Sequence, residues 1–248
     1  MAKFDRKEYK YFVLFEHLEP LRDRFLQYME HDPFCREREG KHYSVRSIYL
    51  DTDRLLFYHE KIEGLKVRKK LRVRVYNTLE PDTIAFLEIK RKIDNTVFKE
   101  RVKIPLVDTV KLMNGVNLPL PAQPTSFSEA ATLEKFKYLT KRLNLSPKVL
   151  VSYEREALVG IDDPALRVTF DMNVRSYPTP EIEDIFREED LNTLVDQHFI
   201  LEVKFNGRMP VWVRNIIRDF KLRIQAISKY CNGIDVWLPE RKPIGFRD

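Results

Sequence analysis

Lys70-Leu71-Arg72-Val73-Arg74-Val75 sets a basic residue at every second position. On an extended strand successive side chains point to opposite faces. Lys70, Arg72 and Arg74 then share one face, and Leu71, Val73 and Val75 share the other. Similar alternation recurs in Glu88-Ile89-Lys90-Arg91-Lys92, in Lys99-Glu100-Arg101-Val102-Lys103, around Arg155, in Arg167-Val168-Thr169-Phe170-Asp171 and in Glu202-Val203-Lys204. One such strand is an ordinary solvated face. Several curling around one space would line a cationic cavity suited to a polyanion.

Working outward, period-two patterns predict strands at about 8–14, 43–50, 68–77, 84–92, 97–104, 149–158, 166–173 and 198–205. Helical patterns lie between them. His17 to Met29 aligns Leu18, Leu21, Phe25 and Met29 on one stripe. Ser126 to Asn144 opens with Ser126-x-x-Glu129, a capping box. Met209 to Phe220 has Pro210 near its start, where proline is tolerated, and Ser228 to Trp237 reads as a last short helix. Asp51-Thr52-Asp53 reads as a turn or helix cap leading into Leu55-Leu56-Phe57-Tyr58. The Pro-rich Leu118–Pro124 reads as a loop within one domain spanning residues 1–248, because strands of similar character flank it. Many strands with few helices predict an α+β fold: an antiparallel sheet closed into an eight-stranded β-barrel with a polar lumen, its apolar face covered outside by helices.

Composition narrows the classes. With 248 residues, 43% hydrophobic and 33% charged, the chain can bury a sizeable core and does not read as disordered. Its net charge of +6 favours anionic partners, but the modest excess does not point to nucleic acid. Base stacking needs exposed aromatics beside the charge, whereas Tyr9, Tyr11, Phe12, Trp212 and Trp237 sit in apolar patterns and read as core. The two cysteines, Cys35 and Cys231, lack metal-site spacing and suit a reducing cytoplasm. Met1 to Glu8 has no apolar signal core, and no run approaches the roughly 20 apolar residues of a membrane helix. A link to the inner face of a membrane is expected only through a membrane-protein partner supplied in trans.

The ordered set of segments resembles the VTC domain of polyphosphate polymerases in its bacterial form, within the triphosphate tunnel metalloenzymes and related to the CYTH phosphohydrolases. The matching segments are Arg6-x-Glu8-x-Lys10-Tyr11, Ser47-Ile48-Tyr49-Leu50-Asp51-Thr52, Lys70-x-Arg72-x-Arg74-x-Tyr76, Leu87-Glu88-Ile89-Lys90, Lys99-x-Arg101, Tyr153-x-Arg155, Arg167-x-Thr169-x-Asp171, Leu201-Glu202-Val203-Lys204 and Ser228-Lys229-Tyr230. The resemblance implies transfer of the γ-phosphate of ATP to a growing inorganic polyphosphate chain inside a basic tunnel, with release of ADP. It implies that Lys10, Arg72, Arg74, Lys90, Arg155, Arg167 and Lys229 form the catalytic set holding phosphate. Arg6, Lys70, Glu88, Lys92, Lys99, Arg101, Lys204 and Ser228 would flank the substrate. Glu202 would bind Mn²⁺ or Mg²⁺, with Glu8 as a second metal ligand. ATP, ADP, inorganic polyphosphate, pyrophosphate and triphosphate are the implied ligands.

One departure bears on the reaction. The CYTH signature Glu-x-Glu-x-Lys here reads Arg6-x-Glu8-x-Lys10, and loss of the first carboxylate leans away from hydrolysis and towards transfer. Glu88 has an alternative reading as a partner of Lys90 or a cross-strand arginine. A triphosphatase and a non-catalytic polyphosphate or nucleotide sensor are the competing functions. Arg72→Ala and Arg74→Ala are expected to remove activity with little loss of stability.

Overall fold

The computed structural model describes residues 6–94, 96–116 and 126–238. The expected break at Leu118–Pro124 lies outside them. In chain order the elements are β1 (Arg6–Leu14), α1 (Leu18–Leu26), β2 (Met29–His31), α2 (Pro33–Arg36), β3 (Tyr43–Asp51), α3 (Leu56–Ile62), β4 (Val67–Tyr76), β5 (Ile84–Ile93), β6 (Thr96–Pro105), α4 (Leu106–Met113), α5 (Phe127–Arg142), β7 (Ser146–Gly160), β8 (Arg167–Pro178), β9 (Asn192–Thr193), β10 (His198–Asn206), α6 (Val211–Asp219) and α7 (Lys229–Asp235). The class is α+β with antiparallel strands, as the alternation predicts.

The chain forms two compact units. The first comprises Met1–Ser44, Tyr153–Val174 and Thr193–Ser228, and the second Val45–Ser152, Arg175–Asn192 and Lys229–Asp248. Strands β7 and β8 contribute residues to both.

In the first unit β1 pairs antiparallel with β10, and β10 with β8. Register aligns Tyr11, Leu201 and Phe170 on one face and Lys10, Glu202 and Thr169 on the other. The apolar face is buried under α1 and α6, where Leu21, Phe25, Val213 and Ile216 meet Tyr11, Phe170 and Leu201. Trp212 stacks on Tyr28 at 4.5 Å, as a core residue would.

In the second unit β3, β4, β5 and β6 pair antiparallel in sequence order. Ile48, Val73, Leu87 and Val102 form one transverse row and are all fully buried. Helix α5 packs on β5 and β6 through Leu133 and Phe136. The Ser126 hydroxyl oxygen accepts from the Glu129 amide at 3.2 Å, so the capping box forms its serine half. Asp51 is the buried anchor of α3: its carboxylate accepts the amides of Phe57 and Tyr58, each at 3.0 Å. The turn-and-cap reading of Asp51 is thus structural.

The predicted helix at His17 to Met29 is shorter. Only Leu18–Leu26 is α-helical, because Met29 leaves to pair with Gly160 as the start of β2. Short β2, β9, α2 and α4 have no counterpart in the sequence reading.

Candidate functional site

Two polar clusters arise where the period-two pattern places charge on one strand face, one in each unit. In the second unit the register builds transverse rows. Tyr49 lies opposite Arg72, Arg72 opposite Glu88, and Glu88 opposite Arg101. The next row is Lys70, Lys90 and Lys99. Ser47 and Arg74 begin the third. Because Leu71, Val73 and Val75 drive the other face into the core, this face has no choice but to gather the cations.

Glu88 is the carboxylate these cations share, and it is 2% exposed. Arg72 Nε donates to its Oε2 at 2.6 Å, and Lys99 Nζ lies 2.6 Å from Oε1. Burial alone would raise the Glu88 pKa, but Arg72, Arg74 and Lys99 outweigh it and hold the carboxyl well below the usual range. Glu88 is therefore ion-paired with a cross-strand arginine, the alternative reading above. Lys99 feels burial and its arginine neighbours more than Glu88, so its pKa is lowered. Arg74 is nearly buried, and its Nε donates to Ser47 Oγ at 3.0 Å.

Tyr49 belongs to this cluster although the sequence reading gave it no role. Arg72 Nη1 donates to its hydroxyl at 3.0 Å, and its ring stacks on Tyr230 at 5.1 Å. Burial would raise the phenol's pKa, yet Arg72, Arg74 and Lys70 bring it down to about 8. The missed signal was the alternation Ser47-Ile48-Tyr49-Leu50-Asp51, which aims Ser47 and Tyr49 at the same face as the arginines. Lys70 Nζ sits 5.5 Å from the Tyr230 ring centroid, and Tyr230 in turn donates to Asp51. Lys229, just before Tyr230, is buried at the start of α7. Lys90 lies within the rows and Lys92 nearer the strand end, opposite Arg68 and Val97. Arg101 is exposed and packs over Phe86 at 5.2 Å.

In the first unit the cluster is balanced. Lys10 Nζ lies 2.9 Å from Glu8 and 3.4 Å from Glu202, and Lys204 also pairs with Glu202. Burial would lower the Lys10 pKa, but Glu202 and Glu8 hold it well above an ordinary lysine. Arg155 grips Asp171 bidentately, Nε to Oδ1 at 2.6 Å and Nη2 to Oδ2 at 2.8 Å, with its plane over Tyr153. Arg167 Nη2 donates to Asp32 Oδ2 at 2.7 Å, and Asp32 also caps α2 by accepting from the Cys35 amide. Asp32 gave no sequence signal, because it comes from a distant segment. Arg6 is exposed at the start of β1, opposite Asn206, and Ser228 is buried at the end of this unit.

The donor set for a divalent ion is all oxygen. Glu202 is buried, the Thr169 hydroxyl facing it across β8 is buried without a hydrogen bond, and Glu8 lies one register step away. Mg²⁺ and Mn²⁺ favour one or two carboxylates with the remaining positions filled by water or phosphate oxygens, so the residues fit. Among the described residues no group of three His, Cys, Asp or Glu could hold a metal alone.

Each unit thus carries a paired-strand scaffold that sets carboxylates among arginines and lysines on one face. The VTC domain model matches residues 5–238, and the chain belongs to that family. It is 31% identical over 276 aligned residues to vacuolar transporter chaperone complex subunit 4 of Trypanosoma cruzi, covering 93% of this chain and 34% of that protein. The chain thus spans about a third of that relative's length. A solved structure of a putative adenylyl cyclase, HpAC1 from Hippeastrum, titled for a dominant triphosphatase activity, is similar at a TM-score of 0.46 and 11% identity, over 95% of this chain and 99% of that one. The Mimivirus capping enzyme triphosphatase gives 0.35 at 11% identity, over 88% and 90%.

Proposed function

We propose that the chain is a metal-dependent polyphosphate polymerase that transfers the γ-phosphate of ATP to a growing inorganic polyphosphate chain. The observation that carries this is the strand face of β4 to β6, where Lys70, Arg72, Arg74, Lys90 and Lys99 surround a single buried carboxylate, Glu88. A strand face so rich in cations suits an anionic ligand, and membership of the VTC domain family supports a phosphate chain as that ligand. The proposal includes closure of the strands into an eight-stranded tunnel and residues 1–248 acting as one domain.

Phosphoryl transfer asks the protein for position and charge more than for covalent chemistry. Arg72 and Arg74 are held in place by Glu88, Tyr49 and Ser47, so their guanidinium planes are pre-oriented for phosphate oxygens. Lys70, Lys90, Lys99 and Lys229 act as point charges along the chain. Arg155 and Arg167 are braced by Asp171 and Asp32 and would neutralise the triphosphate of ATP. A terminal oxygen of the polymer attacks the γ-phosphorus. The new P–O bond forms as the bond to the β-phosphate oxygen breaks, and the electron pair leaves with ADP. Glu202, supported by Glu8, would hold Mn²⁺ or Mg²⁺, which when bound supplies charge neutralisation at phosphate oxygens. Lys10 and Lys204, which pair with Glu202, orient that carboxylate. Because no hydroxyl or thiol of the protein is needed as nucleophile, the absence of a carboxylate at position 6 fits transfer to a phosphate acceptor.

The test is incubation with ATP and Mn²⁺, with and without a short polyphosphate primer, followed by a polyphosphate-stained gel beside Glu202→Gln. A ladder that needs Glu202 and disappears with exopolyphosphatase is expected. Orthophosphate without a ladder would make the protein a triphosphatase. Triphosphate binding without either product would make it a sensor.

A further inference from the structure

The first unit carries a cavity of about 800 Å³ on the face of β1 opposite Lys10. Its lining is largely apolar: Tyr9, Tyr11 and Phe205 come from the paired strands, Tyr9 partly exposed and the other two buried. Ile217 of α6 and Ile224 beyond it continue the apolar wall, and Ile224 is 60% exposed. Cations rim it: Arg208, Arg214, Arg218 and Arg223 are all exposed. Among the described residues, Arg208, Arg214 and Arg223 have no ion-pair partner, while Arg218 lies 3.5 Å from Asp219.

An apolar lining with a rim of exposed arginines selects its occupant by charge and shape together. An inorganic polyanion would satisfy the arginines but leave the exposed Ile224 and the partly exposed Tyr9 and Ile217 facing water. A bilayer surface is broad and cannot follow a concavity bounded by α6 on one side. A helix with one apolar stripe and flanking carboxylates satisfies both, and groove-docked helices use this arrangement. Acidic side chains meeting the rim would set orientation and speed encounter. We propose that this groove docks an acidic amphipathic helix of a partner protein. The inference stands apart from the phosphate chemistry, since the groove uses the opposite face of β1.

The probe is a fluorescein-labelled model helix of Leu and Glu at amphipathic spacing, followed by anisotropy against the purified protein. A matching Leu and Lys helix, tripolyphosphate, and phosphatidylcholine–phosphatidylserine vesicles are the comparison ligands. The Leu–Glu helix should bind, and the Leu–Lys helix should not. Arg214→Glu with Arg223→Glu should weaken the Leu–Glu helix at least about tenfold, with the melting temperature unchanged because both residues are exposed. Ile224→Asp should weaken it as well, by removing the apolar contact without reversing the rim. Equal binding in these variants, no binding of the Leu–Glu helix, or preferential capture of vesicles would overturn the proposal. So would loss of tripolyphosphate affinity in the double variant, which would make the groove a phosphate track.

Discussion

Arg72 does more than present charge. It is the main support of a carboxylate that is almost wholly buried, so its removal leaves Glu88 with fewer partners in a dry site. Arg72→Ala should therefore cost about 1–3 kcal/mol in denaturant melts, more than the little loss of stability expected from the sequence. Arg74→Ala leaves Glu88 paired to Arg72 and should cost less while still removing phosphate handling. Glu88 also sets an acid limit. Its folded pKa is depressed, so its contribution is complete above the ordinary value of 4.5 and is lost as pH falls below it. Glu88→Gln should flatten that loss in melts taken below about pH 5.

Tyr49 gives a spectroscopic handle on the same cluster. With a folded pKa of about 8 against an ordinary 10, one tyrosinate should appear near pH 8 in ultraviolet difference spectra and vanish in Tyr49→Phe. The sign is that stability rises between these values as pH increases, since the folded state releases the proton first. Bound triphosphate would offset the three cations and push this titration upward. An unmoved titration at saturating triphosphate would place the anion elsewhere.

At the scale of elements, α7 lies close against β7 at Gly233. A Cβ there would sit 3.1 Å from Val149 Cγ2 and 3.2 Å from Val151 Cγ2. Both valines are fully buried and cannot step aside cheaply. Gly233→Ala should destabilise by about 1–3 kcal/mol, and thermal melts would detect it. The elements that could be read in advance are those whose period repeats long enough. All eight predicted strands are present, because Leu71, Val73 and Val75, like Tyr11 and Val13, must alternate with polar neighbours to be buried on one side only. Strands β2 and β9 span too few residues for a period to emerge, and Met29 looked helical because its burial continues the stripe of Leu21 and Phe25. Helix α4 begins directly after Pro105, just past the strand expected at 97–104, where the sequence reading assigns no element. The cationic rows could be read from β4 alone. The partners that pin them are harder to read: alternation gives the face of Ser47 and Tyr49, but which arginine each meets is set by register, and Asp32 comes from a distant segment.

For the whole molecule, the strongest expectation is linkage. Like charges crowded on the face of β4 to β6 repel one another, and an anion that binds only the folded state relieves them. Millimolar tripolyphosphate should raise the melting temperature, and it should do so less in Arg74→Ala. No change at millimolar concentration would count against phosphate as the ligand of these rows. Among the described residues no helix is long and apolar enough to cross a membrane.

Neither compact unit is a continuous stretch of chain. The first needs Met1–Ser44, Tyr153–Val174 and Thr193–Ser228 together. On a ribosome, β1 and α1 emerge nearly two hundred residues before β10, the pairing partner of β1. The β1–α1 segment must therefore wait for β10, with Tyr11, Leu21 and Phe25 exposed to chaperones or to other nascent chains. Contacts this distant in sequence close slowly. Refolding should accordingly be slow, and neither unit can be obtained as a simple truncation; a circular permutant that brings β10 beside β1 in sequence should recover faster than the natural order.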